Sequence, residues 1–374
     1  MKFQVSSTLL YNRLQSLSRV INSKSTINIL ECILFEMEGN KLTLTASDSE
    51  TTLVSTIDVE EPEGSGKFAV KANTILNGLK EFYEQPITIE VNNETYEIKV
   101  FYQNGKSSFV GQNADEYPLP LNIADDVQSI SIDSKVLLNG LSRALFATAD
   151  DELRPVMNGV FFDISEDYIT FVASDGHKLV RDRNSSVKAS QSTSFILSKK
   201  PAKTLKDILS KVEGEAEIRF DEKNAEIKVD NYKLSCRLIV GRYPNYNSVI
   251  PSDNPYHVTI DREALIGALR RTMVFASTST SLTKLHMESG QLTVSTQDID
   301  YSTAAEERII CDYEGNPMSI GFKGTFLLDI LNSMESDNII LQLADPSRAG
   351  VIVPAEQEEG EDLLMLLMPM MLNE

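Results

Sequence analysis

An α+β fold of three similar domains, with antiparallel sheets and short helices, is what this 374-residue chain predicts. Two recurring markers carry that expectation. Leu42-Thr43-Leu44-Thr45-Ala46-Ser47-Asp48 returns as Ile169-Thr170-Phe171-Val172-Ala173-Ser174-Asp175, and more weakly as Leu292-Thr293-Val294-Ser295-Thr296-Gln297-Asp298. The aspartates are spaced by 127 (175 − 48) and 123 (298 − 175). Tyr117-Pro118 returns as Tyr243-Pro244 and then as Met368-Pro369, the prolines spaced by 126 (244 − 118) and 125 (369 − 244). One period from two markers places domains at 1–121, 129–251 and 256–374, with linkers at Leu119 to Gln128 and Pro251 to Tyr256, rich in Pro, Asp and Asn.

Each copy opens with an amphipathic helix. Leu10, Leu14, Leu17 and Ile21 follow its apolar stripe, as do Leu137, Leu141 and Leu145, and then Leu265, Leu269 and Met273. A hairpin follows in the first copy, Ile33 to Met37 and Lys41 to Thr45, turning at Gly39-Asn40. A second strand and helix come next: Phe68-Ala69-Val70 before Ile75, Leu76 and Leu79, Phe195-Ile196-Leu197 before Leu205, Ile208 and Leu209, and Met318-Ser319-Ile320 before Phe326, Leu327, Ile330 and Leu331. Alternating strands such as Ile87 to Val91 and Tyr96 to Val100 close each half. Every domain is therefore two strand-helix-strand units. Such a repeat suggests an arc or ring with helices on one face and sheets on the other; independent domains on a string are the alternative.

The formal charge is −20, from 55 acidic and 35 basic residues. An average so acidic speaks against nucleic acid, unless a basic lining is concentrated somewhere. One helix does concentrate it. Lys199, Lys200, Lys203, Lys206 and Lys211 fall opposite the stripe of Ala202, Leu205, Ile208 and Leu209. Lysines also mark an ordinary solvated face. Five on one short helix of an acidic chain favour a phosphate-directed surface blind to base sequence. No apolar run is long enough for a membrane span, and Met1 to Val5 lack a signal-peptide core, so a cytoplasmic location is expected. Cys32, Cys236 and Cys311 are scattered, suggesting neither disulfides nor a metal site.

Catalytic signatures are absent: no Walker A, G-x-G-x-x-G, C-x-x-C, H-E-x-x-H or G-x-S-x-G stands in the chain. Asp175-Gly176-His177 resembles an acid–base pair, yet the aspartate recurs in the other copies without a histidine beside it. A hairpin corner or peptide contact explains it better than hydrolysis. No cofactor or metal is called for. The run Leu363 to Leu372 starts as a core strand, but Pro369 ends ladder pairing. Met370, Met371 and Leu372 then form an apolar tail suited to varied partner peptides.

Met1-Lys2-Phe3, Arg154 with Asn158-Gly159, Ala173 to Leu179, Gly241-Arg242-Tyr243-Pro244, Gly321-Phe322 and Met368-Pro369-Met370 stand together, in order, along the full length. On these residues the chain resembles the bacterial DNA polymerase III beta subunits, the sliding clamps. The resemblance implies the DNA clamp fold: a head-to-tail homodimer of six domains around duplex DNA, helices inside and sheets outside. It implies a clamp loader that opens the ring, and polymerase subunits and repair proteins that dock by short linear motifs. The implied docking groove comprises Arg154, Met157, Ser174, Gly176, His177, Lys178, Leu179, Pro244, Val249, Ser347, Leu366, Leu367, Met368, Pro369, Met370, Met371 and Leu372. Lys24, Lys199 and Lys200 match DNA-touching positions, to which the helix reading adds Lys203 and Lys206. Phe109, Val274 and Phe275 match the subunit interface. Met371 stands where an arginine is common, the tail runs on to Asn373-Glu374, and Asn247-Ser248 replace familiar bases after Pro244. The peptide preference is left open at those positions. A peptide-binding adaptor that does not encircle DNA is the rival reading.

Overall fold

The computed structural model describes residues 1–22, 26–118, 121, 123–124 and 127–372. It divides into two compact units, residues 1–138 with 200–238, and residues 139–199 with 239–374. Among the described residues there are six α-helices: α1 (Ser7–Ser18), α2 (Ala72–Leu79), α3 (Ser134–Ala144), α4 (Lys199–Leu209), α5 (Arg262–Thr272) and α6 (Gly324–Asn332). None is long and apolar enough to cross a membrane.

In the first unit, α1 starts where Ser6 Oγ accepts the Leu9 amide at 3.0 Å, satisfying one free N–H of the first turn. Leu10, Leu14 and Leu17 are fully buried. The helix stops before Ile21, because the amides of Arg19 and Val20 tighten onto the carbonyls of Ser16 and Leu17, three residues back. The last stripe residues of the other opening helices behave alike: Leu145 and Met273 fall in short 3-10 turns after α3 and α5. The expected hairpin forms between Cys32–Glu38 and Lys41–Ser47, with Glu38 facing Lys41. Gly39 takes the left-handed conformation (φ 59°) that the turn needs.

Two antiparallel sheets complete this unit. One has five strands and ends at Gly105–Val110. The other has eight and draws on two sequence copies, because Tyr232–Arg237 pairs with Thr51–Asp58, Cys236 facing Thr51 and Tyr232 facing Ser55. The second unit holds a twelve-stranded sheet. It too spans two copies. Lys178–Asn184 pairs with Glu361–Leu367 over its whole length, Lys178 facing Leu367. The same joint is therefore made twice, by the last strand of one copy against the third hairpin strand of another.

A buried ion cluster pins the second joint. Arg143 on α3 donates to Glu361 at 2.8 Å and to Asp182 at 3.3 Å, one carboxylate from each paired strand. Burial pushes Asp182 up to about 6, against the opposing pull of Arg143. Ionising a buried acid with a raised pKa costs stability as pH climbs from the ordinary carboxylate range through about 6. Replacing Arg143 with Met leaves two unpaired buried carboxylates and should destabilise the fold by about 3 kcal/mol at pH 7. The loss should shrink at pH 5, where Asp182 can take a proton. Thermal unfolding at both pH values checks this; an equal loss at each would mean that Asp182 does not titrate.

Candidate functional site: an apolar groove and a basic helix face

The repeat aspartate builds the corner around which the groove residues gather. Asp175 Oδ1 accepts the amides of His177 and Lys178, each at 2.9 Å, and Oδ2 accepts Lys178 Nζ at 2.5 Å. Its hydrogen bonds hold the carboxyl below the ordinary range although burial opposes this. Asp48 likewise accepts from Glu50 and Thr51 in the first copy, and Asp298 from Asp300 and Tyr301 in the third. The repeat therefore conserves a turn device. Gly176 sits in that corner at φ 90°, and a Cβ there would lie 3.2 Å from the guanidinium of Arg154. Arg154 donates to Asp151 at 2.8 Å and reaches the Asp175 carbonyl.

From this corner the strand runs into the second joint, so Leu179 faces Leu366. Both belong to a buried cluster with Tyr243 and Tyr246, which brackets Pro244. Met157, Leu179, Leu366 and Leu367 are buried supports, whereas His177, Pro244, Val249, Ser347, Met368 and Met371 are exposed. Ser174 is buried, its Oγ donating to the Lys178 carbonyl at 2.8 Å. The Met368 amide donates to the His177 carbonyl at 2.8 Å, and the Met370 amide to the Gly321 carbonyl at 2.8 Å. Gly321 is required here, since a Cβ would come within 2.7 Å of the Met370 carbonyl oxygen. Beyond it an open groove of about 1480 Å³ is lined by Leu282, Met318, Ser347, Met370, Met371 and Leu372.

Two residues outside the expected groove set, Phe326 and Lys323, belong beside this corner. The Phe326 ring lies 3.8 Å from Lys178 Nζ and 4.5 Å from Lys323 Nζ, with the His177 ring 6.4 Å away. Phe326 reads in sequence as one more stripe residue of α6, and nothing in a 3.6-residue period separates it from the buried Leu327. Lys178 is itself buried and paired, so its charge serves the corner more than a surface.

On α4, Ala202, Leu205, Ile208 and Leu209 are buried as expected, and Pro201 is tolerated because first-turn amides have no helical acceptor. Lys203 is exposed and Lys206 half-buried, neither in an ion pair among the described residues. Lys199 donates to Asp150 and Lys200 to Asp48. Lys24 lies outside the described residues. Val274 and Phe275 are exposed, 76% and 43%, and the Phe275 carbonyl accepts from Thr303 Oγ at 3.2 Å. Phe109 lies half-buried on the sheet-edge strand Gly105–Val110.

Sequence profiles of the DNA polymerase III beta subunit match in register: its N-terminal domain over residues 1–122, its central domain over 131–245 and its C-terminal domain over 247–370. The chain belongs to the DNA polymerase III beta subunit family. It is 26% identical over 380 residues to the beta sliding clamp of Pseudomonas putida, covering all of both chains. It is 27% identical to that of Haemophilus influenzae, covering 98% of this chain and 99% of the relative. A sliding clamp from Pseudomonas aeruginosa solved bound to griselimycin superposes with a TM-score of 0.92 at 24% identity, and a DNA polymerase III beta subunit from Thermotoga maritima with 0.90 at 24%; each covers the full length of both chains. These likenesses establish the three-domain α+β clamp fold in this family member.

Proposed function

We propose that this chain is a sliding clamp: two copies close head to tail around duplex DNA and hold the replicative polymerase and other DNA-processing proteins on it. The repeated sheet joint carries the reading. It is made between the first and second copies and again between the second and third. One partner strand of each kind is then left over. Gly105–Val110 ends its sheet, and residues 303–310 of Thr303–Asp312 pair on one side only. Open edges of this sort are templates for pairing, and a third joint can form between two molecules. Cys236 is the fifth residue of its strand and faces Thr51, three after Asp48. Phe109 is the fifth residue of the equivalent strand, so the same register would set it opposite Tyr301, three after Asp298. Tyr301 is 78% exposed and Val110 72%, apolar surface that such a joint would cover. Two unlike surfaces joining across a two-membered ring close it without a free end.

Retention would then be topological. A closed ring cannot leave DNA sideways, so weak phosphate contacts on α4 allow sliding, while a docked polymerase meets its primer at high effective concentration. Partner peptides would dock at the Asp175 corner and the methionine tail. Both Asp175 oxygens are occupied in the corner, which supports a binding role over an acid–base one, and a non-enzymatic protein.

The test is retention on nicked circular DNA after loading by a clamp loader and ATP. The ring should stay bound through gel filtration in high salt and be lost within minutes once the circle is cut. Equal loss from circular and linear DNA would reduce the chain to a peptide-binding adaptor.

A further inference from the structure

Two lysines of the proposed DNA surface already hold carboxylates of their own chain. In the second unit, Lys199 Nζ donates to Asp150 Oδ2 at 2.7 Å. In the first, Lys200 Nζ donates to Asp48 Oδ2 and, at 2.6 Å, to the Val20 carbonyl. We propose that Asp150 and Asp48 are displaceable counter-charges standing in for DNA phosphates, and that they set how strongly an encircled duplex drags on the ring. This rests on the clamp reading of α4.

Neither pairing is needed for the local fold. The hairpin corner uses only Asp48 Oδ1, which accepts the Glu50 and Thr51 amides at 3.0 and 2.7 Å. Asp298 makes the same corner with no lysine partner among the described residues. Oδ2 of Asp48 is thus free to serve Lys200. Asp150 has even less structural work. Its neighbour Asp151 anchors the loop, with its amide donating to Asn158 at 2.9 Å, its carbonyl accepting from Asn158 at 3.0 Å, and its carboxylate on Arg154. The Asp150 side chain is 83% exposed and has Lys199 as its ionic partner. It can swing aside at little cost, whereas Asp48 stays on its corner and the exchange there is made by Lys200 turning away from Oδ2.

A phosphate reaching Lys199 or Lys200 therefore exchanges one anion for another. The released carboxylate stays close and repels the phosphate, so each lysine adds less affinity than its charge suggests. Lys203 and Lys206 carry no such counter-charge among the described residues. For a ring retained by closure, weak contacts mean low friction.

Asparagine keeps the Oδ1 acceptor and removes the charge, so Asp48→Asn and Asp150→Asn test the idea without breaking the corner. Two readouts apply: one-dimensional diffusion of loaded rings along stretched duplex DNA, and the salt dependence of binding to short linear duplex. The double variant should diffuse about three- to tenfold more slowly, each freed ion pair being a contact of the size measured for surface pairs. Its log affinity against log salt should steepen by up to about 0.9 per lysine released. Adding Lys199→Gln and Lys200→Gln should erase both changes. Asp150→Asn alone, in an exposed loop, should slow diffusion even where Asp48→Asn perturbs the hairpin. Unchanged diffusion and slope in variants that load normally would overturn the inference, as would the same effect persisting without the lysines. A wild-type ring that is not retained on circular DNA would overturn the clamp reading and this inference with it.

Discussion

Chains lacking residues 368–374 should lose affinity for a polymerase docking peptide by at least about a hundredfold while keeping their fold and dimer mass. The expectation follows from where the core strand ends. Glu361–Leu367 carries every ladder pair with Lys178–Asn184, and Leu363, Met365, Leu366 and Leu367 are buried. The tail adds two backbone bonds, Met368 to His177 and Met370 to Gly321, and Met371 is 84% exposed. Little folding energy is at stake there. Apolar anchors at the centre of a docking site, in contrast, carry about 2–4 kcal/mol each when truncated, which is a factor of thirty or more. Fluorescence anisotropy with a labelled peptide, beside a thermal melt, separates the two. A collapsed melt would assign the tail to the core, and an unchanged affinity would remove it from the site.

Replacing Val274 and Phe275 with Asp should turn the proposed dimer into a 41.6 kDa monomer and abolish retention on circular DNA. Both side chains stand exposed in the free chain next to the open strand edge that begins at Thr303. Covering them would contribute about 1.5–3 kcal/mol apiece, and two carboxylates in their place would also have to be desolvated. The dimer should weaken by roughly a thousandfold or more, from these two terms together. Sedimentation velocity at micromolar protein reads the mass. A dimer of unaltered stability would exclude this face from ring closure, whatever the peptide groove does.

Much of this architecture was legible in the chain itself. The three recurring aspartates announced three copies, and the structure shows why: each accepts two amides at a hairpin corner, a geometry that depends only on residues two and three positions on. Helix stripes were equally local. Leu10, Leu14 and Leu17 are buried as their spacing requires, while Ile21 continues the stripe beyond the helix, which 3-10 bonds close at Ser18. Five lysines were visible too, Lys199, Lys200, Lys203 and Lys206 in α4 and Lys211 in the turn past its end. Their partners were not, since Lys200 meets Asp48 across 152 positions and Lys199 meets Asp150 across 49. The role of Phe326 is hidden for the same reason, because the ammonium nearest its ring comes from Lys178.

The sequence by itself determined the building block: its number of copies, its helices and hairpins, and the absence of any catalytic signature, because each is encoded by residues within one or two turns of one another. Only the tertiary structure decided which strands of different copies join, which edges stay open at Gly105–Val110 and at residues 303–310, and which lysines already carry a counter-charge. Those are contacts between segments that share no periodicity, and their free energy exists only once the sheets have formed.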